Sequence, residues 1–189
     1  MKAQPKIPAL GYALLGLLQQ KPCSGYDLRK AFSSTSLRSY SDSPGAIYPA
    51  LRRLERQELI RGTVEQASGL RQRQVFRLTA QGLAELKRWV TAPVAREEII
   101  RGPGQILLRF AFSEQAAGRA ASLSLLKSLQ ESVKAHLPDL RVELNSVKAV
   151  APTSGRLAFE CGLRGYENLL EWVSYAIATY QKERKESSS

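Results

Sequence analysis

Residues 41–62 read SDSPGAIYPALRRLERQELIRG, a stretch with helical spacing whose first half holds two prolines and a glycine. On a helical wheel Ile47, Leu51 and Leu54 form one tight inward stripe, and Leu59 and Ile60 carry the apolar run into a strand. The opposite arc collects Gly45, Tyr48, Pro49, Arg52, Arg53 and Arg56. Ser43 suits an N-cap and Pro44 the first helical turn. Pro49 lies too deep for that first turn, so either residues 44–47 form a tight non-α turn or the helix bends at Pro49. Both outcomes stiffen the front end. A stiff N-terminus with free amides followed by arginines suits DNA: the amides bind phosphate, and arginine holds the backbone or reads guanine in a groove as wide as a helix. A solvated basic face with a structural tyrosine has the same pattern, with Arg53 and Arg56 paired to Glu55 or Gln57 or to nothing.

Working outward, the segments before and after this stretch predict helix, helix, helix, hairpin. PALGYALLGLLQQ places Leu10, Leu14, Leu17 and Leu18 on one face. KPCSGYDLRKAFSS follows a proline stop, with Ser24 as N-cap and Asp27 three residues on, a capping box with a shorter acid. LIRGTVEQ and RQVFRLT are short β-type segments separated by ASGLRQ. Val64 is expected inward on the first arm, and Val75 with Arg77 opposite Phe76 and Leu78 on the second. Thr79 then caps a fourth helix with Leu83, Leu86 and Val90 inward. Three short helices and a hairpin are the pattern of a winged helix-turn-helix.

Residues 91–112 contain Pro93 and the breaker cluster RGPG and read as a junction. From Ser113 a long helix is expected, with Leu129, Val133, Leu137, Leu140, Leu144 and Val147 inward and a kink at Pro138. In the last segment Phe159, Leu163, Tyr166, Leu170, Val173, Ile177 and Tyr180 alternate spacings of four and three, a coiled-coil-like seam. Such a seam packs on the preceding helix or on a second chain. Leu169, Trp172 and Ala176 widen the apolar face beyond one seam, which favours dimerisation as well. The fold class expected is therefore mainly α, with β structure only at the wing: residues 1–90 a DNA-binding domain, 91–112 a linker, 113–189 a helical dimerisation domain.

The net charge of +11 over 189 residues is unevenly spread. Residues 1–90 carry 15 Lys and Arg against 6 Asp and Glu, and residues 91–189 carry 13 against 11. The positive excess in the first half favours a nucleic-acid partner; an acidic membrane surface has the same charge requirement. The apolar run near the start is interrupted by Gly11 and Gly16 and lacks an A-x-A site, so a core helix and a cytoplasmic protein are expected. No apolar run reaches the roughly 20 residues a bilayer span needs. Cys23 and Cys161 fall in different halves and His136 is the single histidine, so no metal site and no cofactor is expected. No G-x-S-x-G, P-loop or other catalytic constellation is present, which argues against an enzyme.

SGYDL, SPGAIYPALRRLERQELI and RQVFRLTAQG occur in an order and spacing, across residues 9–90, that resembles the PadR family of bacterial transcriptional regulators. The two long helices that follow are similar to the longer members, which have an extended C-terminal dimerisation domain. Glu58 stands where the family often has glycine before the leucine-isoleucine pair, a departure expected to weaken the helix C-cap. The resemblance implies that the helix from Pro44 to Gln57 enters the groove, with Ser43, Gly45, Ala46, Tyr48 and Arg52 as contact residues. It implies a phosphate contact for Tyr26, backbone or minor-groove contacts for Arg71 and Arg73 at the wing, and added contacts from Lys2 and Lys6. Tyr26 is equally a packing candidate.

The function implied is a homodimeric repressor that binds a palindrome in double-stranded DNA and releases it when a small, often aromatic, effector binds. Trp89, Phe110, Phe112 and Trp172 lie near the junction and are candidates for an effector pocket; ordinary core aromatics have the same pattern. An activator or a ligand-independent regulator would share every motif, and a winged-helix module for protein contacts is disfavoured by the basic first half.

Overall fold

A computed structural model describes residues 7–35, 37, 43–66 and 72–186. The chain divides into two compact units, Met1–Val90 with Gln115–Ala117, and Thr91–Glu114 with Gly118–Ser189. In chain order the elements are α1 (Ala9–Gln20), β1 (Cys23–Ser24), α2 (Gly25–Ser33), α3 (Pro44–Arg56), β2 (Ile60–Gln66), β3 (Gln72–Leu78), α4 (Ala80–Thr91), α5 (Arg96–Arg101), α6 (Gly104–Ala117), α7 (Arg119–Val150) and α8 (Thr153–Glu186). This is the expected class: mainly helical, with a small antiparallel wing.

In the first unit α1 is the central element. Tyr12, Ala13, Leu14, Leu15 and Leu18 are buried, while Leu10 and Leu17 are only half-buried. Burial is not confined to the expected single face, because α1 is apolar nearly all round and packs on both α3 and β3. The sheet order is β1-β3-β2, all antiparallel, and the two-residue β1 had no strand signal in the sequence. Val75 and Phe76 point to opposite faces yet are both buried, so the base of the sheet is covered on both sides. The outer rungs are not covered. Val64, expected inward, pairs with Gln74 and is 67% exposed, and Arg77 lies outside with its guanidinium on Glu65 at 2.8 Å.

The link from α3 to the wing is a Schellman turn. The Leu59 amide donates to the Leu54 carbonyl at 3.0 Å and the Glu58 amide to the Glu55 carbonyl at 2.9 Å. Glu58 takes φ +58°, the left-handed conformation that glycine adopts without a Cβ penalty. Thr79 then caps α4 as expected, its Oγ1 accepting from the Gly82 amide at 3.0 Å. The same hydroxyl and the Thr79 amide lie on the Leu59 carbonyl at 3.0 and 3.1 Å. Gly82 lets α4 approach that carbonyl: a Cβ built on it would sit 2.0 Å from the Leu59 oxygen.

In the second unit residues 91–112 carry helix where a linker was expected: α5 and the larger part of α6. Arg109, 1% exposed, holds them together. Its Nη1 donates to both Glu98 carboxylate oxygens at 3.0 and 3.1 Å, and its Nη2 to the Ala92 carbonyl. Glu98 also accepts from the Ala95 amide at 3.0 Å, capping α5. Breaking such a pair leaves a buried charge without its partner, which costs about 3–5 kcal/mol. Ser113, expected to open the long helix, instead lies inside α6, its hydroxyl 2.6 Å from that of Ser122. The break comes at Gly118, with φ +84°.

α7 runs through Pro138 as one 32-residue helix, and α8 spans 34 residues. They lie antiparallel, as the contacts of Arg119 with Tyr180 and Glu183, Gln130 with Ser174, and Arg141 with Glu167 show. Leu129, Val133, Leu137 and Leu144 of α7 are buried against Leu163, Val173 and Ile177 of α8.

Glu58→Gly removes the left-handed strain and keeps every backbone bond of the turn, so it is expected to stabilise the first unit by about 1 kcal/mol. Gly82→Ala places a methyl group in the Leu59 carbonyl and is expected to cost on the order of 1–3 kcal/mol or more. Thermal unfolding followed by circular dichroism distinguishes the two by the sign of the shift in Tm.

Candidate nucleic-acid interface

α3 is built in two faces. Ile47, Leu51 and Leu54 are fully buried, and each is replaced on the opposite side by an exposed member of the arc Gly45, Tyr48, Pro49, Arg52, Arg53 and Arg56. The helix is continuous from Pro44 to Arg56, so Pro49 neither starts it nor forces the preceding residues out of helical form. The cost is local. Proline lacks the amide that would reach the Gly45 carbonyl, and Gly45 is exposed at a first turn where solvent replaces that bond.

The amides at the start of α3 are not free, contrary to the sequence expectation. Pro44 has none, the Gly45 amide donates to Ser43 Oγ at 3.2 Å, and the Ala46 and Ile47 amides donate to the Ser43 carbonyl at 3.0 and 3.1 Å. What this face offers an anion is therefore side chain, not backbone. Glu55, the residue that might have neutralised the arginines, turns away and accepts from the Gly62 amide at 2.9 Å. That bond ties α3 to β2. No carboxylate among the described residues pairs with Arg52, Arg53 or Arg56. Arg56 instead folds its Nε back on the Arg52 carbonyl at 3.4 Å. With Pro49 and Glu55 these three arginines line an open groove of about 610 Å³.

The neighbouring elements add to the same charge. The capping box at α2 forms as expected: Ser24 Oγ accepts from the Asp27 amide at 3.2 Å, and Asp27 accepts from the Ser24 amide at 3.1 Å. The Ser24 hydroxyl, which donates to the Asp27 carboxylate at 2.7 Å, and then the Ser24 amide hold the Asp27 carboxyl below its usual range, with smaller help from Arg73 and Lys21. Arg73 on β3 is thus close enough to be felt at the start of α2. Tyr26, the second residue of α2, is 62% exposed rather than packed, with the Arg29 guanidinium 5.8 Å from its ring centre. Lys2, Lys6 and Arg71 lie outside the described residues.

The aromatic residues singled out as pocket candidates have partners of their own. Trp89 stacks on Tyr12 in the first unit, with ring centres 4.2 Å apart and planes 3° from parallel. Burial first, then the hydrogen bond to Glu85, pushes the Tyr12 hydroxyl upward in pKa. In the second unit Phe110 meets Trp172 edge-on at 5.8 Å, and Phe112 is buried. Burial and the bond from its hydroxyl to Glu114 raise Tyr180 likewise.

Within the α8 seam Leu163, Val173 and Ile177 are buried, and Phe159, Tyr166, Leu170 and Tyr180 are partly buried against the same core. The surplus is also used inside the chain: Leu169 and Ala176 are buried and Trp172 packs on Phe110. What α8 leaves exposed and apolar is Leu157 and Tyr175. No helix among the described residues is long and apolar enough to cross a membrane.

Comparison with known proteins places these features. Residues 14–88 match the transcriptional regulator PadR-like family. The chain is 27% identical over 183 residues to the negative transcriptional regulator PadR of Bacillus subtilis, covering 92% of this chain and 98% of that one. It is 24% identical over 190 residues to the probable transcriptional regulator Rv1176c of Mycobacterium tuberculosis, covering 93% and 100%. Among solved structures it is similar to B. subtilis PadR in complex with operator DNA (22% identity, 92% and 99% coverage, TM-score 0.43) and with p-coumaric acid (22%, 95% and 99%, TM-score 0.36). A basic helix carried on a winged unit and a match to the family along residues 14–88 of that unit lead to one conclusion: this winged unit is of the PadR-like family of transcriptional regulators.

Proposed function

We propose that the protein is a homodimeric repressor that binds a palindromic operator in double-stranded DNA through α3 and leaves it when a small aromatic effector binds. The observation that carries the DNA reading is the outer face of α3, where Arg52, Arg53 and Arg56 stand exposed without a carboxylate partner among the described residues. Arginines held this way are available to phosphate or to the guanine edge. Ser43, Gly45, Ala46, Tyr48 and Arg52 are the groove contacts in this reading, Tyr26 and Arg73 flank them, and Lys6 and Arg71 extend the footprint. The word "negative" in the name of the B. subtilis relative supports repression.

Residues 1–90 serve as the DNA-binding domain, and residues 113–189 as the dimerisation domain beyond the 91–112 segment. Leu157 and Tyr175 lie eighteen residues apart, about five helical turns, and so share one exposed face of α8. They supply apolar surface for a second copy on the side of α8 opposite the seam of Phe159, Leu163, Tyr166, Leu170, Val173, Ile177 and Tyr180, which packs within the chain. A dimer of two winged units reads half-sites about one helical turn, ~10 bp, apart. The complex of B. subtilis PadR with p-coumaric acid supports a phenolic effector, and Phe110, Phe112 and Trp172 of the second unit are the residues offered for it. Such a ligand acts by binding better to a form of the dimer that does not fit the operator.

Selection of bound genomic fragments with the purified protein gives the operator. On that duplex Arg52→Ala is expected to weaken binding by about 1–3 kcal/mol at one base position if Arg52 reads a base, or to reduce the salt slope by about one if it holds phosphate. Anisotropy titrations at several salt concentrations separate the two, and unchanged binding removes Arg52 from the site. A chain ending at Val90 is expected to fold as a monomer with weakened operator binding. Sedimentation that shows it still dimeric overturns the assignment of dimerisation to the C-terminal helices.

A further inference from the structure

Gly25 is the first residue of α2, and its backbone is not in the left-handed region that would require glycine. Glycine is otherwise a poor choice in a helix. What its missing side chain provides is space. A Cβ built on Gly25 would lie 2.6 Å from Cε1, 3.2 Å from Cζ and 3.4 Å from Cδ1 of Tyr48. One edge of the Tyr48 ring therefore rests on the bare backbone of α2, while the residue stays 41% exposed on the outer arc of α3.

Both backbones at this contact are held independently of it. The start of α2 is fixed by the Ser24–Asp27 capping box and by the pairing of Ser24 with Val75 in the sheet. The Tyr48 backbone is fixed by its buried neighbours, Ile47 before it and Leu51 one turn on. A methyl group at position 25 thus meets two anchored backbones and one ring that turns about two side-chain bonds. The ring is the part that yields, and its hydroxyl moves with it.

We propose that Gly25 is a positioning residue for DNA recognition: its bare backbone is the seat that fixes the Tyr48 ring on the outer face of the α3 helix. This rests on the reading of α3 as the groove-entering helix with Tyr48 among its contacts. Gly25 itself is buried and acts through the Tyr48 ring.

The test is a double-mutant cycle on the full chain with the selected operator duplex, reading Kd by anisotropy at fixed salt and Tm by circular dichroism. Gly25→Ala is expected to weaken operator binding about tenfold, and Tyr48→Ala to weaken it as well. In the Tyr48→Ala background, Gly25→Ala is expected to change affinity less than about twofold and to raise Tm, because without the ring alanine is only the better helix former. A general packing role would lower Tm in both backgrounds, and that result overturns the proposal. So do additive losses of affinity, or a Gly25→Ala protein that binds like wild type while Tyr48→Ala is impaired; the groove reading then stands without the seat. Tyr48→Ala binding like wild type removes Tyr48 from the interface and the proposal with it. If Gly25→Ala alone fails to fold, recovery of folding by Tyr48→Ala supports the seat, and no recovery overturns it.

Discussion

The carbonyl of Leu59 is the point on which the first unit depends. It accepts the amide and the hydroxyl of Thr79 at 3.1 and 3.0 Å, and Gly82 lies close enough to it that any side chain would collide. Three elements meet there: α3, which ends three residues earlier in a Schellman turn, the wing that begins at Ile60, and α4. A buried carbonyl must be paired, and this one is paired by residues that also set the direction of the next helix. The orientation of α3 relative to the wing follows from this one knot and from the bond between Glu55 and the Gly62 amide. Glu58, in a conformation suited to glycine, shows that the turn is imposed by packing on both sides and not by the local preference of its residue.

The second unit is held differently. Its core is the long seam between α7 and α8, with apolar side chains doing most of the packing and cross-helix ion pairs at the rim. Around it the shorter α5 and α6 are fixed by polar contacts: the buried Arg109 on Glu98, the Ser113–Ser122 hydroxyl pair, and Ser128 and Ser132 on the backbone of Val94. Charged groups of this kind do not stabilise more than apolar ones would, but they have few alternative partners. A segment that reads as a linker is thereby held in one register.

The positive charge of the first unit is visible from composition, since the excess of lysine and arginine sits in residues 1–90. The helical wheel of residues 44–56 also divided α3 correctly into a buried stripe and an exposed basic arc. Less was legible where one residue type serves two purposes. Val64 has the apolar alternation of an inward strand residue, yet the distal wing has no layer above it. The amides at the start of α3 are consumed by Ser43, which the sequence had marked only as a cap. Leu169 and Ala176 looked like surface left over for a second chain, but the neighbouring helix covers them.

What the sequence determined by itself are the features set by local spacing: the period of each helix, the caps at Ser24, Ser43 and Thr79, the hairpin, and the seam along residues 159–180. Each depends on side chains within a turn or two of one another, so the pattern is written in neighbouring positions. What only the tertiary structure decided are the features that join distant residues. Glu55 turning to the wing instead of to its arginine neighbours is one, and Trp89 stacking on Tyr12 is another. Gly25 receiving the Tyr48 ring and Gly82 receiving the Leu59 carbonyl are the others. The physical reason is the same throughout: a missing side chain or a spare hydrogen-bonding group is identical in every sequence context, and only the approach of a second element gives it a role.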